Sequence, residues 1–344
     1  MILHLCVLEK FTSPFYRFTE ENPSDFGSDH QFYINDIFGK FSAPKGGNVY
    51  IAQNARPLAR YAWLVKNMNR SNKIILHGLL DMRALLLLCL QPWLLAKCYW
   101  AIWGVDLYIH QFGERTLSWR RNEVIRRFAI SRIGHLITHL RGDYDLAQKW
   151  YGAKGAWHDC FMYLSNLHHA PAQEVAPHDG INILLGNSAD ASNNHLDALE
   201  RLRPFADKSI RIFCPLSYGD ESYAQTISDY GRQVFGDRFI PLLDFMPFEE
   251  YLSFLCKIDI AILNHERQQG VGITTTLLGL GKKVYMRRDI SSYRMFNDLG
   301  VKVFPIDNLV VDKLTNGDAK INKQIVESHF SRERLIDSWK KIYE

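Results

Sequence analysis

The sequence predicts an α/β protein with two Rossmann-like domains, and three features indicate this. Short apolar runs alternate with helix-length periodic segments, the pattern of parallel sheets covered by helices. Residues 167–178 are rich in proline and small residues and lack periodicity, which indicates a linker. A chain of 344 residues suffices for two cores of ordinary size. We therefore expect domains at 1–166 and 179–324, with a C-terminal helix, 325–344, joining the first.

In the first half, six apolar runs predict strands: ILHLCVL, QFYINDIF, NVYIAQ, KIILHG, CYWAIWG and HLITHL. Helical patterns lie between several of them. The most membrane-like segment begins at Ala84, but Gln91, Pro92 and Lys97 interrupt it well short of the roughly 20 apolar residues that a spanning helix needs. The pattern predicts a buried helix, a break at Pro92 and then a strand.

The second half has a clearer alternation. Its predicted strands are INILLGNS, SIRIFCPLSYG, DIAILN and KKVYM, and its predicted helices are NNHLDALERLRPF, ESYAQTISDYGRQVFG and PFEEYLSFLCKI. Pro247 suits the first turn of the last of these helices. From about Ile321 to the C-terminus the pattern is helical and amphipathic.

Composition excludes several classes of protein. An apolar fraction of 47% and a charged fraction of 23% are those of a soluble globular chain, so wholesale disorder is excluded. A net charge of +4 is too small to require nucleic acid as a partner. The six cysteines are scattered without a C-x-x-C pair, which predicts a reducing cytosol and neither a metal site nor a disulfide framework. The first residues lack the features of a signal peptide, so we expect no secretory leader.

The segment HERQQGVGITTTLLGLGKKVYM contains the most informative loop, between the run DIAILN and an apolar helical pattern. Gly270 and Gly272 would let backbone N–H groups approach a ligand closely. The hydroxyls of Thr274 and Thr275 can cap the helix or donate to a phosphate. A helix N-terminus favours phosphate or pyrophosphate, and Arg267 could add a full charge. The alternative is an ordinary capped turn.

Two further loops also follow predicted strands. In GNSADASNNH, Gly186, Asn187 and Ser188 precede a helix that we expect to be capped near Ser192. The loop CPLSYGDES offers two more polar residues, Ser217 and Tyr218. The carboxyl ends of neighbouring parallel strands share one edge of a sheet, so we expect the three loops to meet around one ligand. No dinucleotide fingerprint or G-x-x-x-x-G-K-[ST] loop is present, which disfavours hydride transfer and ATP hydrolysis.

Four motifs in matching order, WAIWGVDLY, RGDYDLAQKWY, GNSADASNNH and ERQQGVGITTTLL, resemble the bacterial 4-acetamido-4,6-dideoxygalactosyltransferases. That family transfers Fuc4NAc from its dTDP-sugar to the lipid II intermediate of enterobacterial common antigen. The resemblance runs from about Lys73 to the C-terminus, and the first seventy residues match only in general character. It implies a GT-B fold, in which two Rossmann-like domains face each other across a cleft. It also implies a cytoplasmic enzyme, peripheral on the inner membrane.

The resemblance assigns the nucleotide-sugar to the second domain and the acceptor to the first. The segment RQQGVGIT should approach the pyrophosphate and sugar, GNS should line the same cleft, and LLDFMPF should lie near the thymine. The donor-binding residues expected from the three loops and the resemblance are Gly186, Asn187, Ser188, Tyr218, Phe245, Met246, Arg267, Gln268, Gln269, Gly270, Val271, Gly272, Thr274 and Thr275. GT-B enzymes generally need no bound metal or other cofactor, so we expect none. Asp143 and Asp145 read D-x-D, but they occur at a predicted helix start, where capping is the simpler account.

Glycosyl transfer needs stabilisation of the departing diphosphate and, usually, a base near the acceptor hydroxyl. Asp106 and His77 each follow a predicted strand of the first domain and are the candidate bases. Asp106 is preferred because two aromatic residues near it, Trp103 and Tyr108, could stack on sugar faces. Both could instead have structural roles, Asp106 in capping or an ion pair and His77 in hydrogen bonding. Weaker candidates are Asp81 and Asp143.

Glu266 is the catalytic candidate in the donor loop. Its carboxylate could bind hydroxyls of the donor sugar or steady positive charge at the anomeric carbon, or it could simply pair with Arg267 or another neighbour. Several retaining GT-B enzymes have two glutamates eight positions apart, but Thr274 occupies the second position here. The sequence therefore assigns neither inversion nor retention.

Seven arginines lie between Arg115 and Arg141, against one acid, Glu123. The segment 116–132 has a helical pattern and is either a solvated basic helix or a surface that meets anionic lipid head groups or the acceptor's pyrophosphate. Clustered arginines near a bilayer contribute about 1 kcal/mol each. The residues assigned to this acceptor or membrane role are Arg120, Arg121, Arg126 and Arg127.

The sequence thus predicts a glycosyltransferase that uses a dTDP-sugar and a polyprenyl-diphosphate-linked acceptor, with no nucleic-acid partner. Two alternatives remain open from sequence. One is a related glycosyltransferase with another nucleotide-sugar or another surface-polysaccharide acceptor. The other is a non-catalytic module that binds nucleotide-sugars or glycolipids.

Overall fold

A computed structural model describes residues 1–169 and 178–344 and divides the chain into two compact units. The first domain comprises Met1–Ser165 and Arg332–Glu344, and the second comprises Asn166–Ser331. Most of the predicted linker, residues 170–177, lies outside the described residues.

The first domain contains a seven-stranded sheet in the order β3-β2-β1-β4-β5-β6-β7. Every neighbouring pair in it is parallel. Its strands are β1 Ile2–Val7, β2 His30–Asn35, β3 Val49–Ile51, β4 Lys73–His77, β5 Cys98–Ala101, β6 His135–Ile137 and β7 Ala156–His158. The six predicted strands are confirmed, with shorter bounds. The sequence missed β7 because its three residues are mostly exposed and have no apolar pattern.

Helices cover this sheet, and their bounds are α1 Thr12–Glu21, α2 Pro23–Phe26, α3 Pro57–Arg70, α4 Met82–Cys89, α5 Val105–Phe112, α6 Leu117–Ile130 and α7 Arg141–Tyr151. The predicted break at Pro92 is confirmed, since α4 ends at Cys89 and a 3₁₀ turn, Pro92–Lys97, leads into β5. None of the helices in the described residues has the length and apolarity that crossing a membrane requires.

The second domain has a six-stranded parallel sheet in the order β10-β9-β8-β11-β12-β13. The strands are β8 Ile181–Leu185, β9 Ile210–Pro215, β10 Phe239–Leu242, β11 Ile260–Leu263, β12 Lys283–Met286 and β13 Phe304–Pro305. The helices are α8 His195–Leu202, α9 Glu221–Phe235, α10 Phe248–Cys256, α11 Val271–Gly279, α12 Ser291–Asp298 and α13 Asn316–His329. Pro247 is the N-cap of α10 and so lies one residue before the predicted first turn.

The prediction of one C-terminal helix over 325–344 is wrong, because this stretch contains parts of two helices. Helix α13 ends at His329 within the second domain, and α14, Arg332–Tyr343, belongs to the first. Phe330, between them, is fully buried, so an apolar residue occurs where the chain leaves one domain for the other. No glycine or proline marks this break, which is why the periodicity concealed it.

A chain of buried hydrogen bonds crosses the first-domain sheet. His4 on β1 contacts His30 on β2 through Nε2 and His77 on β4 through Nδ1, both at 3.0 Å. The far end of His30 contacts the Phe26 carbonyl at 2.9 Å, and His77 Nδ1 lies 2.7 Å from the hydroxyl of Tyr163. Burial lowers the pKa of all three imidazoles, so they are neutral near pH 7. Since the carbonyl can only accept, each neutral ring in turn donates toward it, and each has one fixed tautomer.

Candidate functional site

The three polar loops of the second domain meet at one edge of its sheet. Strand β8 lies between β9 and β11, and all three are parallel, so the loops that follow them are neighbours. Hydrogen bonds join the loops directly: Ala189 N–H donates to the Tyr218 carbonyl at 2.7 Å, and Glu266 N–H donates to the Ser192 carbonyl at 2.8 Å. The predicted convergence of the loops is therefore confirmed.

Side chains strengthen these loop contacts. Ser192 donates through its hydroxyl to the Gln269 side chain at 2.9 Å. Arg267 pairs with Asp190 at 3.5 Å. Burial raises the pKa of the Asp190 carboxyl, but hydrogen bonds from Ser192 and the charge of Arg267 outweigh it, and the net shift is downward. The loop between β11 and α11 is consequently held against the loop after β8 by contacts within the protein.

Two glycines are required by close approaches at this edge. Gly270 has φ +65°, and a Cβ there would lie 2.6 Å from Nδ2 of Asn187. Gly186 has φ +68°, and a Cβ there would lie 2.3 Å from Nε2 of His195. Any larger residue would strain the backbone at either position. At Gly270 it would also push the β11 loop away from the β8 loop, and at Gly186 it would displace His195 at the start of α8.

Gly270 is the N-cap of α11, and no side chain among the described residues caps this helix. The predicted caps are wrong: Thr274 lies inside the helix and donates its hydroxyl to the Gly270 carbonyl at 2.9 Å. Thr275 is also internal and fully buried. The first N–H groups of α11 are thus available to an anion, with the partial positive charge of the helix behind them. The cap expected near Ser192 is found two residues to either side of it: Asp190 caps the short 3₁₀ turn, and Asn194 is the N-cap of α8.

Buried polar atoms without hydrogen-bond partners collect beside this helix start. Within the described part of the chain, five such atoms belong to four side chains: Nε2 of His195, both ring nitrogens of His265, Nε2 of Gln269 and Oγ1 of Thr275. Desolvating a polar group without a partner costs about 1–3 kcal/mol, so most buried groups are paired. A ligand that supplied the missing partners would offset this cost.

Burial also keeps both histidines neutral. Desolvation lowers the pKa of His265 to about 3 and that of His195 to about 4. His195 and the Arg267 charge lower the pKa of His265 further, while the Gln269 backbone, which approaches the ring without reaching hydrogen-bond geometry, and Asp190 oppose the shift. Asp190 also opposes the shift in His195. A neutral imidazole offers one donor and one acceptor, so His265 can bond a ligand from both sides of its ring. Neither histidine was predicted as a site residue from the sequence, although His265 lies two residues after the end of β11.

The remaining predicted donor residues surround the same edge. Glu266 is exposed, and Arg267 pairs with Asp190 rather than with it, so its carboxylate remains accessible. Tyr218 and Phe245 are strongly exposed on the loops after β9 and β10, with Met246 beside them half-buried. Asn187, Ser188, Gln268, Val271 and Gly272 are half-buried.

Asp106, the preferred base, does not fit that role. It is 0% exposed and accepts four hydrogen bonds, from Leu79 N, Trp100 Nε1, Trp103 N and Leu107 N, at 2.7–3.1 Å. Burial raises the pKa of this carboxyl, and the hydrogen bonds from Trp100, Leu79 and Trp103 oppose that shift without cancelling it. Its oxygens are already occupied in tying the loop after β4 to the loop after β5, so Asp106 organises the loops and is not placed to take a proton from a substrate.

The other first-domain candidates are similarly occupied. His77 is buried in the histidine chain, and desolvation lowers its pKa to about 3. Tyr108 is buried and donates to Asp143 at 3.0 Å, so it cannot stack on a sugar. The prediction that Asp143 caps α7 is wrong, since no side chain caps that helix within the described residues. Asp81 caps α4. Trp103 is partly exposed, as is Asp81, and its indole N–H donates to the hydroxyl of Tyr163 at 2.7 Å.

The arginine-rich helix α6 separates into two faces. Arg126 is buried and paired with Glu123 at 3.1 Å, so its predicted surface role is wrong. Arg120, Arg121 and Arg127 are exposed. They share their face with two apolar residues, Leu117 and Val124. Within the described part of the chain, no group of three His, Cys, Asp or Glu side chains could hold a metal ion.

Known structures share this two-domain architecture. Sucrose-phosphate synthase from Thermosynechococcus elongatus matches with a TM-score of 0.70 at 12% identity, over 99% of this chain and 98% of that one. WaaG, a glycosyltransferase involved in lipopolysaccharide biosynthesis, matches with a TM-score of 0.57 at 9% identity, over 100% and 94%. HepE from Anabaena, in complex with UDP-glucose, matches with a TM-score of 0.58 at 11% identity, over 99% and 94%. At these identities the likeness shows the fold alone, and that fold is GT-B.

Residues 38–342 match the family described as 4-alpha-L-fucosyltransferase, glycosyl transferase group 56. The match begins about 35 residues before the resemblance seen in the motifs, within the stretch that joins β2 to β3. It confirms the family predicted from the four motifs. The chain therefore belongs to the 4-alpha-L-fucosyltransferase family of glycosyl transferase group 56, and it is a glycosyltransferase.

Proposed function

We propose that this enzyme transfers Fuc4NAc from dTDP-Fuc4NAc to a polyprenyl-diphosphate-linked saccharide, the lipid II of enterobacterial common antigen. The donor and acceptor come from the family that the motifs resemble. The observation that carries the donor site is the group of unpaired buried polar atoms beside the uncapped start of α11.

The loops suggest how a nucleotide diphosphate would be held. Its phosphates would accept from the free N–H groups of Val271 and Gly272, as anions do at helix N-termini. Gly270 would allow this close approach, and Arg267 and neutral His265 would add side-chain donors. These groups are in place before the reaction, so they would stabilise the charge that develops on the departing diphosphate. The thymine would lie against the exposed loop that contains Phe245 and Met246.

The acceptor would bind the first domain, where Trp103 is the surviving candidate for stacking on a sugar. Glu266 is the accessible carboxylate of the donor loop and would contact hydroxyls of the donor sugar or the anomeric carbon. With Asp106 and His77 occupied by internal hydrogen bonds, neither serves as the base on the acceptor side.

A transfer assay with dTDP-Fuc4NAc and extracted lipid-linked acceptor tests the proposal. GDP-fucose is the competing donor, because the family's description names L-fucosyl transfer. Product from dTDP-Fuc4NAc alone supports the proposal, whereas product from GDP-fucose or another nucleotide-sugar alone contradicts it and leaves the glycosyltransferase assignment intact.

Gly270→Ala links this activity to the α11 start. The new Cβ would strain the backbone by about 1–2 kcal/mol and displace Asn187, so we expect at least a tenfold loss of kcat/KM. Gly152→Ala is the matched control, since Gly152 has the same left-handed conformation, with φ +71° and ψ +32°, but no atom within 4 Å of a Cβ. Equal activity in the two variants would contradict the donor site.

We further propose that the enzyme works as a peripheral protein on the cytoplasmic face of the inner membrane. Helices α4 and α6 pack together, and the Cys89 thiol contacts the Ile125 carbonyl at 3.7 Å between them. The three exposed arginines of α6 are accompanied by five apolar side chains from α6, α4 and the turn after α4, each at least 43% exposed: Leu117, Val124, Leu86, Leu90 and Trp93. Basic charge interleaved with exposed apolar side chains suits an anionic bilayer.

Vesicle flotation tests this surface. The triple variant Arg120→Gln, Arg121→Gln, Arg127→Gln should lose most binding to vesicles that contain phosphatidylglycerol, because each arginine contributes about 1 kcal/mol near an anionic surface. Phosphatidylcholine vesicles and the remote variant Arg232→Gln are the controls. Binding that is equal for both lipids, or unchanged in the triple variant, would contradict the proposal.

A further inference from the structure

Each sheet has a switch point, a boundary between two strands from which the chain builds outward in opposite directions. In the second domain this boundary lies between β8 and β11, with β9 and β10 on one side and β12 and β13 on the other. The loops after β8 and β11 are those of the proposed donor site. Ligands of open parallel sheets bind in the crevice at such a point, outside the carboxyl ends of the strands.

The switch point of the first domain lies between β1 and β4. Strands β2 and β3 lie on one side of β1, and β5, β6 and β7 lie on the other side of β4. The loops after β1 and β4 lead to opposite faces of the sheet. Phe15 of α1 contacts His4 and His77 on one face. Leu85 of α4 packs in the core that contains Leu5 on the other. A crevice at the carboxyl edge therefore separates the two loops.

An acidic residue follows every strand of this sheet except β3, and each is the first acid after its strand. These residues are Glu9 after β1, Asp36 after β2, Asp81 after β4, Asp106 after β5, Asp143 after β6 and Asp159 after β7. Five of the six carboxylates are bound within the fold. Besides Asp106 and Asp143, whose partners are given above, these are Asp36 with the N–H groups of Phe38 and Gly39, Asp81 with the start of α4 and the amide of Asn35, and Asp159 with His139 and Arg334.

Glu9 is the exception. Its half-buried carboxylate accepts only from the N–H of the next residue, Lys10, at 3.3 Å, and it makes no ion pair within the described part of the chain. The Lys10 ammonium lies over the Phe11 ring instead, 5.3 Å from the ring centroid. Of the six acids, the one at the switch point thus keeps its capacity to accept a proton or a hydrogen bond from a ligand.

Hydrogen bonds fix the turn that contains Glu9. The buried hydroxyl of Thr12 accepts from the Glu9 N–H at 3.0 Å and donates to the Val7 carbonyl at 3.1 Å. The Leu8 N–H donates to the Asn35 carbonyl at 2.9 Å, which ties the turn to the end of β2. The backbone of Glu9 is therefore held by contacts that leave its carboxylate available.

The same turn lies beside Trp103, the candidate for stacking on an acceptor sugar. The ring centroids of Phe11 and Trp103 are 5.8 Å apart, with the rings nearly perpendicular. A Cβ on Gly78, in the loop after β4, would lie 3.1 Å from the same indole. The loops after β1, β4 and β5 thus meet around Trp103, and Glu9 lies two positions from Phe11.

We propose that Glu9 is the base that activates the acceptor hydroxyl. The proposal rests on the proposed function for its substrates. The carboxylate takes the hydroxyl proton while the acceptor oxygen forms its bond to the anomeric carbon. The bond from that carbon to the diphosphate breaks, and its electron pair leaves on the diphosphate. Glu9 precedes residue 38, where the family match begins, so the assignment depends on the structure of this chain.

Transfer from dTDP-Fuc4NAc to the extracted lipid-linked acceptor tests the role of Glu9. The control for Glu9→Gln is Glu114→Gln, at an exposed glutamate without an ion pair in the described residues. Because a general base contributes about 10²–10⁴-fold, we expect Glu9→Gln to lower kcat at least about 100-fold. The KM for the donor and the affinity for dTDP should not change. Thermal unfolding verifies that each variant folds.

Two further readouts distinguish a base from a structural residue. Glu9→Asp keeps a carboxylate and should retain more activity than Glu9→Gln. The rate of the unsubstituted enzyme should fall as acid protonates its base, and Glu9→Gln should lose this acid limb of the pH profile.

A kcat for Glu9→Gln within about threefold of that for Glu114→Gln would overturn the assignment, because it is far below the contribution of a general base. An acid limb that persists in Glu9→Gln would also overturn it. If the unsubstituted enzyme transfers nothing from dTDP-Fuc4NAc, the proposed function is contradicted instead, and the same variants are compared with GDP-fucose as the donor.

Discussion

Each domain buries histidines in or beside its sheet, but the hydrogen bonding of the two groups is opposite. In the first domain His4, His30 and His77 use all six ring nitrogens in one chain that ends on the Phe26 carbonyl. In the second, His195 and His265 leave three of four ring nitrogens without a partner in the described residues. Both groups are neutral because burial lowers their pKa values.

This difference distinguishes buried polar groups that stabilise the fold from buried polar groups that a ligand could still bind. A completed hydrogen-bond chain in a core stabilises the fold and has no capacity left for a substrate. An incomplete one at a strand end costs stability and is retained where a ligand completes it. By this criterion Asp106 and His77 of the first domain are structural, whereas His195 and His265 of the second keep hydrogen-bonding capacity for the proposed nucleotide.

The largest expected effect is on stability at acidic pH. The folded-state pKa of His77 is about 3 and that of His4 is also well below 6.5, their ordinary value in the unfolded chain. Between these values the unfolded chain binds protons that the folded chain does not, so stability is full above about pH 6.5 and falls as the pH falls. At pH 5.5 each such histidine costs about 1.4 kcal/mol, and denaturant unfolding at pH 7.5 and 5.5 measures this. A stability that rises on acidification would contradict the neutral chain.

His77→Leu has the next largest effect. It leaves Nδ1 of His4 and the hydroxyl of Tyr163 without their partner, and each unsatisfied group costs about 1–3 kcal/mol. We expect the free energy of unfolding to fall by more than about 2 kcal/mol, with a shallower dependence on pH, while nucleotide affinity is unchanged. Unfolding curves and calorimetric titration with dTDP give both quantities. An unchanged stability would show that the chain is not a structural unit.

His265→Leu should show the reverse pattern. Removing two unpaired polar atoms from a buried site should leave the stability equal or higher, because no partner is lost. The affinity for dTDP should fall about tenfold, equivalent to about 1.4 kcal/mol. A variant that loses stability and keeps its affinity would place His265 with the structural histidines and remove the distinction between the domains.

Much of the fold was predictable because buried strands are apolar runs and glycine marks tight loops. The meeting of the three donor loops also followed from the parallel order of their strands. Burial and pairing were not predictable. Asp106 receives its four donors from Leu79, Trp100, Trp103 and Leu107, and the first of these lies 27 positions away along the chain. A carboxylate after a strand has the same local sequence whether it organises loops or meets a substrate.

Two short strands, the start of α11 and the role of His265 were not predicted either. Strand β13 has two residues, too few to show a period, and the three residues of β7 are mostly exposed and have no apolar pattern. Thr274 and Thr275 have the residue types of a helix cap, but Gly270 adopts the left-handed conformation and begins the helix earlier. His265 gave no signal of its own, since its unpaired state depends on the His195 and Gln269 side chains, which the sheet brings beside it.

The most direct test is a thermal-shift titration of the full chain with dTDP, UDP, GDP and NAD⁺ in the absence of added metal. A ligand at 100 times its Kd stabilises the folded state by about 2.7 kcal/mol. We predict such stabilisation by dTDP, reduced in His265→Leu and retained in His77→Leu. Stabilisation by none of the four, or equally by dTDP in both variants, would contradict the claim that a nucleotide completes the unpaired edge of the second domain.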